Sequence, residues 1–422
     1  MSEEPAPRRP SSRLRALVPQ TPRGRLVAAL AALVVAVYAA EIGARALLDG
    51  RSTLGAVLAL RHGGERAYPM VSAGTLLAPD ESGHQRSAIH VDGQEVVPLG
   101  GIAGVTTVAG DDRRASPRFT SDERGFENPP GLWGEAPIEV LLVGDDLTLG
   151  VGVAPEGGLA APVRAVFPRT VNLGAPGLGP LAELAELREY GPVLRPRVSV
   201  ILFSEADDLR DLGREKNSLL VRYLERAFGQ DLASRQDALD RALVQLEDAR
   251  LGEADTLASR AGRVLGLGRL RELAGFGPAP FRMGDTPRPP DNAFYRQVLR
   301  EAKRAVVAWE GQQLWLVYLP SWSRFAHPEE LPALDRDRAT VISTARGEGL
   351  SVLDAVSVLT AAGDPRECFA PPHGRQPPRY NERGYHVLGE ALRDLLVVAG
   401  REKEDIGSLP FVGTPRPPRK PR

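Results

Sequence analysis

The stretch IEVLLVGDDLTLG, residues 138–150, decides the fold. Its apolar half, Ile138 to Val143, is too short for a helix and only weakly alternating, the pattern of a strand covered on both faces, and it stops at Gly144, Asp145 and Asp146. Similar runs recur at Thr170–Leu173, Val198–Phe203, Leu314–Leu319 and Ser351–Leu353. Helical patterns lie between them. Leu181, Leu184, Leu187 and Tyr190 form one stripe, and Leu239, Leu243 and Leu246 form another. Strands alternating with helices predict an α/β domain with a parallel sheet, and the two stripes are read as core.

Outward from this core, residues 213–292 contain no clear strand and at least two amphipathic helical patterns, so they read as a helical insertion between the third and fourth strands. Pro278, Pro280, Pro287, Pro289 and Pro290 mark its exit. Residues 51–135 are rich in glycine and short β-branched runs, with Asp92-Gly93 as a hairpin turn, and read as a β-rich approach segment. The domain proper is placed at 136–399, with its last helix over Asn381–Val398. Residues 400–422 form a basic, proline-rich tail that reads as solvated.

The amino terminus carries Arg8, Arg9, Arg13, Arg15, Arg23 and Arg25, followed by an uncharged apolar run from Leu26 to Ala40. That run alone reaches only about 22 Å against a hydrocarbon core of about 30 Å. A span therefore extends through Glu41 to about Leu48, with Glu41 and Arg45 one turn apart and able to pair. The arginines hold residues 1–25 in the cytoplasm and place the domain on the outer side. The alternative is a cleaved signal peptide with Val37 and Ala39 at its small-residue positions, for which the charged leader is long.

The chain has 422 residues, 53 basic against 54 acidic, and a net charge of -1, so a broad phosphate-binding face is not expected and nucleic acid is no partner. The single cysteine, Cys368, excludes an internal disulfide and a cysteine-rich zinc site. Only four lysines stand beside 49 arginines, which reads as GC-rich coding.

Ligands of open parallel sheets bind beyond the carboxyl ends of the strands. The loops there carry Gly144-Asp145-Asp146, then Asn172 to Gly179, then Glu205 to Asp208. The ordered blocks VLLVGDDLTLGVGV, VNLGAPGLGP, ILFSEADDL and RYNERGYHVLGEAL resemble the SGNH or GDSL hydrolase superfamily, over about residues 97–250 and 370–399. The upstream PRFTSDERGFENP is similar to the leader of membrane-anchored bacterial members. The resemblance implies a three-layer, flavodoxin-like fold, no organic cofactor, and a carbohydrate-ester or lipid-ester ligand class.

In that family a serine is the nucleophile, a glycine and an asparagine help form the oxyanion hole, and a histidine and an aspartate act as base and orienter. Carried over, the serine position is Asp146, the glycine Gly177, the asparagine Asp207, the histidine Arg379 and the aspartate Gln376. Only the glycine is retained. A carboxylate at 146 does not use a serine-type relay, an arginine stays protonated, and an ionised Asp207 offers only acceptors to an oxyanion. The charges instead predict an Asp146–Arg379 ion pair with Asp207 as second partner. Asp145 and Asp208 read as turn and cap residues.

The resulting expectation is a membrane-anchored protein that has lost catalysis and binds an acylated envelope glycan or a protein partner. The alternatives are an esterase, deacetylase or acyl transferase using Asp146 or His373 in an unusual arrangement, with His373 as the substitute base, and a structural envelope protein contacting others through its insertion. With Arg379 swung away, Asp146 and Asp207 could hold Mg²⁺ or Ca²⁺, but no metal is assigned. His386 reads as helix surface or core, His62, His84, His90 and His327 lack ligand spacing, and Ser121 and Ser204 sit in no nucleophile turn.

Overall fold

A computed structural model of the chain describes residues 21–48, 52–110, 117–273, 292–372 and 378–407. The expectations for residues 1–20, the proline-rich exit of the insertion, His373, Gln376 and the last fifteen residues lie outside these. The first helix, α1 (Pro22–Leu48), is the apolar segment read from the sequence, and its most apolar 18-residue stretch has a mean hydropathy of 2.2. Its Leu26, Val27, Leu33 and Val35 side chains stand exposed.

The approach segment is not β-rich from its start. It opens with a helix, α2 (Thr53–His62), because Ser52 accepts a hydrogen bond from the Gly55 amide (3.1 Å) and caps the first turn. Then follow β1 (Ala67–Pro69), the short α3 (Ala73–Leu76), β2 (Leu77–Pro79), β3 (Gln85–Ser87), β4 (His90–Val91), β5 (Gln94–Glu95), β6 (Thr106–Val108) and β7 (Arg118–Thr120). β4 and β5 pair antiparallel across the expected turn, where Asp92 and Gly93 both have positive φ (52° and 75°).

The domain begins at β8 (Val140–Gly144), followed by α4 (Asp146–Leu149), α5 (Ala160–Arg164), β9 (Thr170–Asn172), α6 (Pro180–Leu194), β10 (Val198–Ser204) and α7 (Asp208–Glu215). The insertion supplies α8 (Gln236–Asp255), α9 (Leu257–Leu265) and α10 (Gly268–Leu273). The chain returns through α11 (Asn292–Ala308), β11 (Gln313–Leu319), α12 (Trp322–Ala326), α13 (Leu331–Gly347), β12 (Ser351–Asp354), α14 (Ala355–Ala361) and α15 (Glu382–Gly407). All five expected strands are present within two residues at either end. The last helix runs on from Val398 to Gly407.

The five strands form one parallel sheet in the order β12-β11-β10-β8-β9. Counted along the chain this is the 2-1-3-4-5 order of flavodoxin-like doubly wound sheets, the architecture expected of an SGNH hydrolase fold. Alternate side chains feed opposite layers. Leu141, Val143, Ile201 and Phe203 join the core under α6, α11 and the approach segment, while Val140, Leu142, Val200 and Leu202 join the core under α5 and α15. Each fully buried aliphatic contributes about 1.5–3 kcal/mol, so both layers hold the sheet between them.

The approach segment is fused to this body. Val57, Val71, Leu99 and Phe126 belong to the same core as Leu181 and Leu243. Gly74 in α3 lies directly on the loop after β9: a Cβ there would sit 2.4 Å from the Gly177 carbonyl oxygen.

α15 starts where Asn381 accepts a bond from the Gly384 amide (3.0 Å) and donates to the Glu367 (2.8 Å) and Phe369 (3.0 Å) carbonyls. Gly384 is required because a Cβ would lie 2.1 Å from the Cys368 carbonyl oxygen. Asn381→Ala removes the cap and two loop anchors, and thermal or urea unfolding of the detergent-solubilised chain is expected to show a loss of about 1–2 kcal/mol.

Candidate functional site

The topological switch point of this sheet lies between β8 and β10, and the loops that leave those strands bring the site together. After β8, Asp145 accepts a bond from the Leu147 amide (2.9 Å) and caps α4, which leaves Asp146 as the first residue of the helix, at the mouth of the crevice. After β10, Asp208 turns back to accept from the Ser204 amide (2.7 Å), and Asp207 occupies the capping position of α7. Asp145 and Asp208 are thus turn and cap residues, as the sequence implies.

Arg379 arrives from the strip before α15. The Ala370 amide donates to the Arg379 carbonyl (2.9 Å), this and the bridge between Phe369 and Tyr380 fix the backbone, and the Tyr380 hydroxyl donates to the Pro320 carbonyl. The guanidinium reaches both loops: Nη2 lies 2.6 Å from Asp146 Oδ2, and Nη1 lies 3.2 Å from Asp207 Oδ2. Arg210 holds the other Asp207 oxygen at 2.5 Å. The side chains are 29% exposed for Arg379 and 13% for each aspartate, so the pairing is sheltered but touches solvent.

Charge and burial decide the protonation states. Burial disfavours the Arg379 cation, but Asp146 and Asp207, with Asp145 behind them, outweigh it and hold the guanidinium more firmly protonated than usual. Burial pushes the Asp145 carboxyl well above its usual range, and repulsion from Asp146 and Asp207 adds to this. Burial also raises Asp146, against the pull of Arg379. Such an arginine neither accepts a proton nor shuttles one.

Asp145, Asp146 and Asp207 offer oxygens within 4.8 Å of one another, a spacing that suits a hard cation. Arg379 already stands as counter-ion to two of them, Arg210 serves the second again, and burial disfavours the charged form of the third. Little negative charge is left over for a metal.

Gly177 has a positive φ of 68° and its backbone is covered by Gly74, so the glycine loop faces the approach segment. Ser72 Oγ donates to the Pro176 carbonyl (2.5 Å) and fastens that cover. Ser121 is buried in the approach segment, donating to the Ile102 carbonyl (2.7 Å), and Ser204 is buried at the end of β10. Neither is an accessible nucleophile. His386 is exposed on α15, 3.4 Å from Glu390.

Sequence reasoning missed what lies beneath the site. Glu183, Glu186 and Asp208 are fully buried beside Asp145, and both Glu186 oxygens and one each of Glu183 and Asp208 have no hydrogen-bond partner among the described residues. Burial, reinforced by repulsion within the group, raises all four carboxyls well above the ordinary range. Glu205 was read only as a loop residue. It is a buried hub that accepts from Tyr318 (2.7 Å), Ser321 (2.9 Å) and Arg324 (2.5 Å).

No protein-family model and no curated protein matches the chain. Solved structures that it is similar to include a lipase/acylhydrolase from Enterococcus faecalis, at 13% identity and a TM-score of 0.34 over 63% of this chain and 96% of that one. They also include an acetylxylan esterase from Geobacillus stearothermophilus, at 14% identity and a TM-score of 0.34 over 61% and 94%. A third is a protein described as lipolytic, of the G-D-S-L family, from Desulfitobacterium hafniense, at 12% and a TM-score of 0.29 over 61% and 99%.

The buried acids make a pH prediction. Carboxyls raised in the folded state bind protons there that the unfolded chain has released above about pH 4, so stability falls as pH rises toward their folded values. The thermal midpoint is expected to drop between about pH 5 and pH 8, and Glu186→Gln to raise it more at the alkaline end than at the acidic end. A midpoint that climbs over this range contradicts the assignment.

Proposed function

We propose that the chain is a membrane-anchored, SGNH-hydrolase-like protein that has given up ester hydrolysis and binds through the crevice between β8 and β10. The observation that carries this reading is the Arg379 guanidinium placed between Asp146 and Asp207. A serine hydrolase needs a hydroxyl beside a neutral base and donors aimed at an oxyanion. Here the nucleophile position holds a carboxylate, the base position a permanent cation, and the asparagine position a carboxylate already engaged.

Losing one oxyanion donor alone costs about 3–4 kcal/mol of barrier lowering, and these changes act on nucleophile, base and donor together. The loops that border the crevice are fixed by the Asp145 cap, the Ser204–Asp208 bond and the Gly74–Gly177 contact, which supports a formed binding site. Its ligand class is an acylated envelope carbohydrate, whose ester oxygens the part-exposed guanidinium can meet as a donor. The apolar α1, with arginines before it, supports an anchor in the cytoplasmic membrane and a domain on the outer side.

The test is hydrolysis of p-nitrophenyl acetate by the full chain in detergent. The parent is expected to show no turnover above solvent, and the combined Asp146→Ser, Asp207→Asn, Arg379→His protein to gain a measurable rate. Turnover by the parent that Asp146→Asn abolishes would overturn the reading and establish an enzyme with an unusual nucleophile.

A further inference from the structure

The outer end of α1 does not stand free. Tyr38 Oη donates to the Leu265 carbonyl (3.3 Å), Arg45 Nη2 donates to the Arg263 carbonyl (2.8 Å), and Glu41 accepts from the amides of Arg269 (3.0 Å) and Leu270 (2.8 Å). Glu41 also pairs with Arg45 at 2.7 Å and is fully buried. Helices α9 and α10 of the insertion thus clasp the anchor from residue 38 to residue 45.

Depth follows from helix geometry. If the hydrocarbon core begins at Leu26, a thickness of about 30 Å ends near Arg45, so the clasp occupies roughly its last 10 Å. That is the depth at which interfacial amphipathic helices sit. The exposed side chains agree: Leu257 is 84% and Leu265 67% exposed on α9, beside Ile42 and Leu47 of α1, which are similarly bare. Large aliphatics left open next to an apolar span extend its surface laterally. The two helices carry Arg260, Arg263, Arg269 and Arg271 against Glu272 alone, the charge pattern of a helix held at an anionic leaflet.

Between α1, α2 and this clasp is a cavity of about 270 Å³, whose lining includes Arg45, Arg263, Arg269, Ser52, Leu54 and Leu58. Its size is just under that of small-molecule clefts, about 300–1,000 Å³, and suits a headgroup more than a whole lipid. The lining joins arginine and aliphatic side chains, with Arg263 Nη1 donating to the Ala254 carbonyl (2.8 Å) and Arg45 paired with Glu41, and each guanidinium has five N–H donors to share. Glu41 has its oxygens taken by Arg45 and the α10 amides.

We infer that α9 and α10 lie in the outer interface of the bilayer and that the Arg45, Arg263 and Arg269 cleft binds the phosphate of an anionic phospholipid headgroup. The inference rests on the reading of α1 as a membrane span. The bound lipid locks the insertion to the anchor and sets the height of the β8/β10 crevice above the membrane.

The test is native mass spectrometry of the full chain in detergent, with phosphatidylglycerol, phosphatidylcholine or inorganic phosphate added. Phosphatidylglycerol is expected to be retained about tenfold or more better than phosphatidylcholine. Arg263→Gln with Arg269→Gln is expected to abolish the preference. The paired lysine substitutions should keep it, and so should Arg271→Gln, an exposed arginine outside the cleft. Equal retention of the two lipids, a double glutamine variant that binds like the parent, or phosphate alone held as firmly as the lipid would each overturn the site. Carbonate extraction of membranes reads the anchor separately. A chain that resists extraction but shows no lipid preference overturns the headgroup site alone, and a chain released by carbonate overturns the span.

Discussion

One guanidinium joins the two loops that leave this sheet at its switch point to the strip before α15. Arg379 is carried by the strip before α15, and its two nitrogens reach Asp146 after β8 and Asp207 after β10. Remove it, and two carboxylates face each other in a part-buried crevice with Asp145 directly behind. Such an arrangement costs several kcal/mol unless protons or cations enter. With Arg379 in place, Asp146 and Asp207 are joined through one cation, and the three charges form a salt-bridge triad that holds the loops together.

Much of this was legible in the sequence because the signals were local or additive. Apolar runs such as Val198–Phe203 can only be strands buried on both sides, Asp92-Gly93 can only be a tight turn, and the opposite charges at 146 and 379 announce a pair once the blocks fix them on neighbouring loops. The resemblance to SGNH hydrolases supplied the juxtaposition that spacing alone does not. The Asn381 and Gly384 pattern had a purely mechanical reason, a cap and a close approach to the Cys368 carbonyl.

What stayed hidden depends on long-range packing. Glu183 and Glu186 flank the leucine stripe of α6, yet α6 is covered on that side as well, and both acids are fully buried. Trp309 packs so closely on α6 that a Cβ at Gly191 would sit 2.4 Å from its ring. The helix α2 was missed although Ser52 offers a capping signal, because the glycine and β-branched residues further on dominated the segment. The cover of Gly74 over Gly177 joins residues a hundred apart with no side chain to mark the contact. The Glu41–Arg45 pair was visible one turn apart, but its second task, holding the start of α10, was not.

The central claim is that Asp146 and Arg379 are energetically coupled as a structural pair. A double-mutant cycle of Asp146→Asn and Arg379→Gln, read by equilibrium unfolding of the full chain at neutral pH, measures that coupling with the loss of each side chain's other contacts cancelled. The account predicts a coupling of about 1.5–3 kcal/mol, as expected for a sheltered charge-assisted bond. Additivity within about 0.5 kcal/mol would contradict it and leave the two charges as independent occupants of an open crevice.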